Sequence, residues 1–186
     1  MKKHIPNLIT LLNLLCGIIA VILAVEGRLV EAGFFVILGI FFDFFDGFFA
    51  RLFKVQGELG KQLDSLADMV TSGVVPGIVM FQLLKNSTGN WSGELLMPHT
   101  FFEEGYSYIP FIGLLIAMAA AYRLANFNID TRQSSSFIGI PTPANALFVL
   151  SLPLILDHST HPFANYLIQN TSFLIVVTIA GSILMN

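Results

Sequence analysis

The chain has 186 residues, 55% of them hydrophobic and 11% charged, with a mean hydropathy of +0.77 and a formal net charge of −3. Soluble domains carry about 25% charged residues, so composition argues against a water-soluble globule. The lone Cys16 excludes an internal disulfide, and no basic cluster of the kind nucleic acid requires is present.

A helix of about 20 largely apolar residues crosses a bilayer, and six stretches meet that need, at roughly 7–25, 30–53, 60–84, 108–128, 143–157 and 167–185. The expectation is an all-α integral membrane protein, a bundle of about six transmembrane helices forming one domain over residues 1–186. The first stretch resembles a signal peptide, but its apolar run from Leu8 to Val25 exceeds the usual core of about 7–15 residues and no A-x-A site follows. It therefore reads as a spanning helix. The fifth is short and begins at Pro143, a residue suited to the first helical turn. The sixth stops at Asn186 without a basic flank.

Orientation follows from the basic residues. With the N-terminus cytoplasmic, Lys2, Lys3, Arg51, Lys54, Lys61, Arg123 and Arg132 fall inside, and only Arg28 and Lys85 fall outside. The loop from Asn86 to Ser107 carries Glu94, Glu103 and Glu104 and no basic residue, as an external loop should.

Against this apolar background, the second and third stretches hold four carboxylates, Asp43, Asp46, Asp64 and Asp68. An ionised acid in hydrocarbon costs several kcal/mol unless paired, and so marks a functional site. Asp43 and Asp46 are i,i+3, and Asp64 and Asp68 are i,i+4, so each pair shares a helix face. The loop after Arg51 is short, which makes these two helices antiparallel neighbours with both pairs facing a site in the cytoplasmic half. Four acids need a counter-charge, and hard oxygen donors select Mg²⁺, Mn²⁺ or Ca²⁺ rather than zinc. Paired metals clamp the oxygens of phosphoryl transfer. Gly47, Ala50 and Gly60 are small enough for close backbone or ligand approach, and Arg51 offers a planar fork for phosphate. A lipid with a pyrophosphate-linked head, approached from the cytoplasm, suits such a site.

The pattern D-x-x-D-G-x-x-A-R-x8-G-x3-D-x3-D, running from Asp43 to Asp68, resembles that of the CDP-alcohol phosphotransferases, integral-membrane enzymes of phospholipid synthesis. The resemblance implies that Asp43, Asp46, Asp64 and Asp68 hold one or two Mg²⁺ or Mn²⁺ ions, that Asp68 is also the general base, and that Gly47, Ala50, Arg51 and Gly60 line the CDP pocket. Three further stretches, I-P-N-L-I-T-L-L-N-L-L-C-G, Y-R-L-A-N-F-N and F-I-G-I-P-T-P-A-N-A, resemble bacterial-type phosphatidylserine synthases. They imply CDP-diacylglycerol and L-serine as substrates, Arg123, Asn126 and Asn128 as serine contacts, a closing loop from Arg132 to Thr142, and a homodimer in the cytoplasmic membrane. Family members usually carry a basic residue where this chain has Asn126, and many continue beyond the sixth helix. A phosphatidylglycerophosphate or inositol-phosphate synthase is the alternative within the family, and a cation transporter the alternative outside it. His158 and His161 read as solvated loop residues, and the sequons at Asn86, Asn90 and Asn170 matter only in a secretory pathway.

Overall fold

The structure, a computed structural model, describes residues 4–55, 57–89, 107–129 and 139–186, and every element in them is helical. Lys2, Lys3 and Arg132, the three loop glutamates, Asn90 and most of the expected closing loop lie outside the described residues. Helix α1 (Ile5–Val25) carries Pro6 in its first turn, where the missing N–H costs nothing. Gly27, at φ +81, turns the chain into α2 (Leu29–Leu52). That helix ends in an unusual way: Lys54 takes φ +54, the left-handed position glycine normally fills, while Val55 N–H closes onto the Ala50 carbonyl at 3.1 Å.

Helix α3 (Glu58–Asp68) is too polar to cross a membrane alone, but it runs on through a widened π-turn at Met69–Val74 into α4 (Val75–Thr88). Pro76, just beyond this π-turn, withholds an N–H and crowds the preceding turn, which favours such a widening. The continuous rod is 31 residues, ends at Gly89 with φ +64, and is the central pillar: Val79 to Leu84 are all buried. A 3₁₀ turn at Ile109–Leu114 leads into α5 (Leu115–Ile129). Helix α6 (Thr142–His158) has Pro143 in its first turn as expected, and α7 (Pro162–Ile168) meets α8 (Thr171–Leu184) at a 68° bend.

Four described helices are long and apolar enough to cross a membrane, or five if the bent α7–α8 pair is one span. The fifth expected crossing, α6, has 17 residues, about 26 Å of rise against a hydrocarbon core of about 30 Å. Exposed Phe34, Phe41, Phe44, Phe48 and Leu52 leave α2 with an apolar outer face suited to lipid. Behind it, the core gathers Ala20 and Ala24 of α1, Val36 of α2, Val79 and Leu84 of α4, Val149 of α6 and Leu174 of α8.

One expectation is corrected here. Helices α2 and α3 are not packed neighbours: both lean on α1, and α2 makes its most extensive contact with α1 rather than with α3. Facing acids repel, and α1 keeps the two backbones apart. The gap this leaves between them becomes the cavity.

Candidate active site

Asp43 of α2 and Asp64 and Asp68 of α3 each present a carboxylate oxygen, all within 4.8 Å of one another. At an effective dielectric constant of about 20, like charges at that spacing repel by on the order of 3 kcal/mol per pair. No ion pair reaches these acids among the described residues: Arg28–Glu31 and His158–Asp157 pair elsewhere, and Arg51 and Lys61 stand on the wall of the same cavity. Three hard oxygen donors without a cationic partner fit Mg²⁺ or Mn²⁺ by donor chemistry.

Asp46 behaves differently from the expected fourth ligand. It is 5% exposed and stands apart from the triad, accepting a hydrogen bond from the Thr10 hydroxyl of α1. Asp68 also receives a contact from α1, where Asn13 Nδ2 donates to its Oδ1 at 3.4 Å. Helix α1 thus supplies a polar partner to each helix of the acid motif.

In front of the acids lies a cavity of about 890 Å³, within the size range of small-molecule sites. Asp43, Asp46 and Asp64 form part of its wall, and so do all four expected CDP-pocket residues, Gly47, Ala50, Arg51 and Gly60. A methyl added at Gly47 would find its nearest neighbour, Arg51 Nη2, at 3.8 Å, and one at Gly60 would find Asn7 Oδ1 at 3.4 Å. Neither is pressed against a helix backbone, so both leave room in the cavity. Arg51 is steadied by a 3.1 Å hydrogen bond from its Nε to the Gly47 carbonyl.

The expected serine contacts do not converge on this wall. Arg123 Nε donates to the Met185 carbonyl at the end of α8 at 2.9 Å, while its Nη2 is buried without a partner among the described residues. Asn128 faces α3: its Nδ2 donates to Ser65 Oγ at 2.9 Å, and its carbonyl accepts from Lys61 Nζ at 2.9 Å. Asn126 is exposed. Phe127, between them, does line the cavity. Gly139, at φ +78, brings the chain before α6 so close to α8 that a side chain there would meet Met185 O at 2.7 Å.

The sequence profile of the CDP-alcohol phosphatidyltransferase family matches residues 3–184. The chain belongs to that family. Among relatives of this family member, the CDP-diacylglycerol–serine O-phosphatidyltransferase of Bacillus subtilis is 30% identical over 180 residues, covering 92% of this chain and 90% of that protein. The protein of the same name from Helicobacter pylori is 33% identical over 161 residues, 84% of this chain and 59% of its own length. An archaetidylserine synthase of Methanothermobacter thermautotrophicus is 29% identical over 154 residues, 81% of this chain and 58% of its own.

In this CDP-alcohol phosphatidyltransferase, sequence reasoning about the acids missed what α1 contributes. Pro6, Asn7 and Thr10 line the cavity, and Asn13 reaches Asp68. The signal was present: Asn7, Thr10 and Asn13 recur every third residue in an otherwise apolar helix, a polar stripe that hydrocarbon would not tolerate. Lys61 and Glu58 also line the cavity from the first turns of α3.

Proposed function

We propose that this chain transfers the phosphatidyl group of CDP-diacylglycerol to the hydroxyl of L-serine, giving phosphatidylserine and CMP. The observation that carries the reading is the unpaired triad Asp43, Asp64 and Asp68 at the end of a nucleotide-sized cavity. The serine acceptor is supported by the relatives' names. Asp43, Asp64 and Asp68, with Asp46 at hand, would hold Mg²⁺ or Mn²⁺, which supplies charge neutralisation at the pyrophosphate and polarises the reacting phosphorus.

The chain's own residues do the rest. Gly47, Ala50 and Gly60 make space for the CDP head, and Arg51 and Lys61 offer donors to its phosphates. The serine hydroxyl is a poor nucleophile at neutral pH and needs its proton removed during attack. Asp68 takes that proton. The serine oxygen then bonds to the phosphorus next to diacylglycerol, the bond from that phosphorus to CMP breaks, and CMP leaves. Arg123 is the contact for the serine carboxylate in this reading: it does not line the acid cavity, and its buried Nη2, without a partner among the described residues, is a donor such an anion could satisfy. Asn126 and Asn128 are the accompanying amides.

The reading includes six crossings in one domain, the N-terminus and the acid site in the cytoplasm, and a homodimer. Alternation of the ends supports it. Gly27, Asn86 and His158 share one cleft, while Arg51, Lys61 and Phe127 share the acid cavity. The homodimer rests on family resemblance alone. The test is CMP release by purified protein from CDP-diacylglycerol with serine, glycerol 3-phosphate or inositol supplied separately. Serine-dependent CMP is expected. CMP release with glycerol 3-phosphate alone would move the chain to another acceptor, and no CMP with any acceptor would remove it from phosphatidyl transfer.

A further inference from the structure

Asn13 and Thr71 are polar, fully buried at 0% exposure, and unused by the mechanism above. They form a short relay that ends on an acid of the triad. The Thr71 hydroxyl lies 3.0 Å from Asn13 Oδ1 and 3.0 Å from the Ala67 carbonyl, and Asn13 Nδ2 lies 3.4 Å from Asp68 Oδ1. We infer that Asn13, keyed by Thr71, is a positioning residue that holds the Asp68 carboxylate in its metal-binding orientation. This rests on the reading of Asp43, Asp64 and Asp68 as a metal site.

The chemistry of the amide supports the assignment. An asparagine side chain has a donor end and an acceptor end, and a carboxylate can only accept. Asn13 must therefore turn its NH₂ toward Asp68 and its oxygen the other way. That oxygen, deep between helices, needs a donor, and the Thr71 hydroxyl is the one beside it. Without the hydroxyl, the amide oxygen is unsatisfied and the amide is free to rotate. Its oxygen would then face Asp68 and repel it.

The backbone is shaped around this pair. Thr71 lies in the widened turn Met69–Val74 that follows Asp68 directly, where Asn13 Oδ1 and the Ala67 carbonyl, four residues earlier, share its single hydroxyl proton. Single π-turns of this kind recur at functional sites. Two glycines from other helices make room. A side chain at Gly17 of α1 would come within 2.6 Å of Thr71 Oγ1, and one at Gly39 of α2 within 2.8 Å of both Asn13 Oδ1 and Thr71 Cγ2. Three helices thus converge on one threonine and one amide, at a point where apolar side chains would have packed more cheaply. The relay accounts for that expense.

The test is Mn²⁺ binding to the detergent-solubilised full chain, followed by the loss of free-ion EPR signal, with thermal unfolding measured alongside. Thr71→Val keeps the shape and removes the hydroxyl; Asn13→Ala breaks the relay at its other end; Thr71→Ser restores the hydroxyl. Each of the first two should weaken Mn²⁺ binding about tenfold or more, as the loss of a hydrogen bond to a charged group predicts. Thr71→Ser should bind like the unaltered protein. Unchanged Mn²⁺ affinity in both Thr71→Val and Asn13→Ala would overturn the inference. So would a loss that Thr71→Ser shares, or one that appears only in protein already unfolded. If the unaltered chain bound no Mn²⁺, the metal-site reading itself would fail, and the relay's role with it.

Discussion

Asp68 differs from the other acids of the motif in what surrounds it. Asp43 and Asp64 line the cavity wall, whereas Asp68 stands one turn further along α3 and is the acid that Asn13 contacts. A group that takes a proton in the transition state and a group that only ligates should separate on substitution. Asp68→Asn is expected to cut turnover by roughly 10²–10⁴-fold while CDP-diacylglycerol binding, measured by equilibrium dialysis, changes far less. Loss of lipid binding with turnover preserved on what remains bound would make Asp68 a ligand only. Gly60 gives a second handle. Its missing side chain leaves open space beside Asn7, so Gly60→Leu should fill part of the cavity. The expected result is an apparent affinity for CDP-diacylglycerol weakened at least about tenfold, equivalent to about 1.4 kcal/mol, with helical content by circular dichroism unchanged.

Among the elements, α5 and α8 meet where the acceptor is expected. Arg123 Nε bonds to the last turn of α8, and this contact has two possible purposes that one variant separates. A lysine could still donate to the carbonyl and still complement the helix C-terminus, but it could not grip a carboxylate with a planar fork. Arg123→Lys should therefore raise the serine concentration needed for half-maximal CMP release by roughly 10- to 150-fold, or about 1.5–3 kcal/mol, and leave thermal stability nearly unchanged. An unaltered serine dependence would reduce Arg123 to a tie between helices. The acid helices were legible beforehand because their signal is covalent spacing: Asp43 with Asp46, and Asp64 with Asp68, fall on helix faces whatever the packing. The partner of each pair was not legible. Asp46 turns to Thr10 because α1 packs against both α2 and α3, and that placement is a tertiary outcome no local period encodes. The π-turn after Asp68 belongs to the same class, although Pro76 and the small residues before it mark the place.

For the whole molecule, the hydropathy pattern located the long helices to within a few residues and the acid cavity to the α2–α3 junction. It placed the short α6 to within a residue at each end but did not foresee the bend between α7 and α8, since apolar runs near helix length carry no information on where Pro162 and Asn170 interrupt them. What the fold achieves as a unit is a polar recess in an apolar body: α1 keeps the acid helices apart, the central pillar is buried, and charge without a partner gathers at one end. The account stands on that charge being answered by a divalent cation. The most direct measurement is serine-dependent CMP release from CDP-diacylglycerol by the purified chain, in Mg²⁺ or Mn²⁺, in EDTA, and for Asp64→Asn in the same buffers. The account predicts release that disappears in EDTA, returns when either cation is restored, and is lost in Asp64→Asn under all conditions. Full release in EDTA, or from Asp64→Asn, would contradict it.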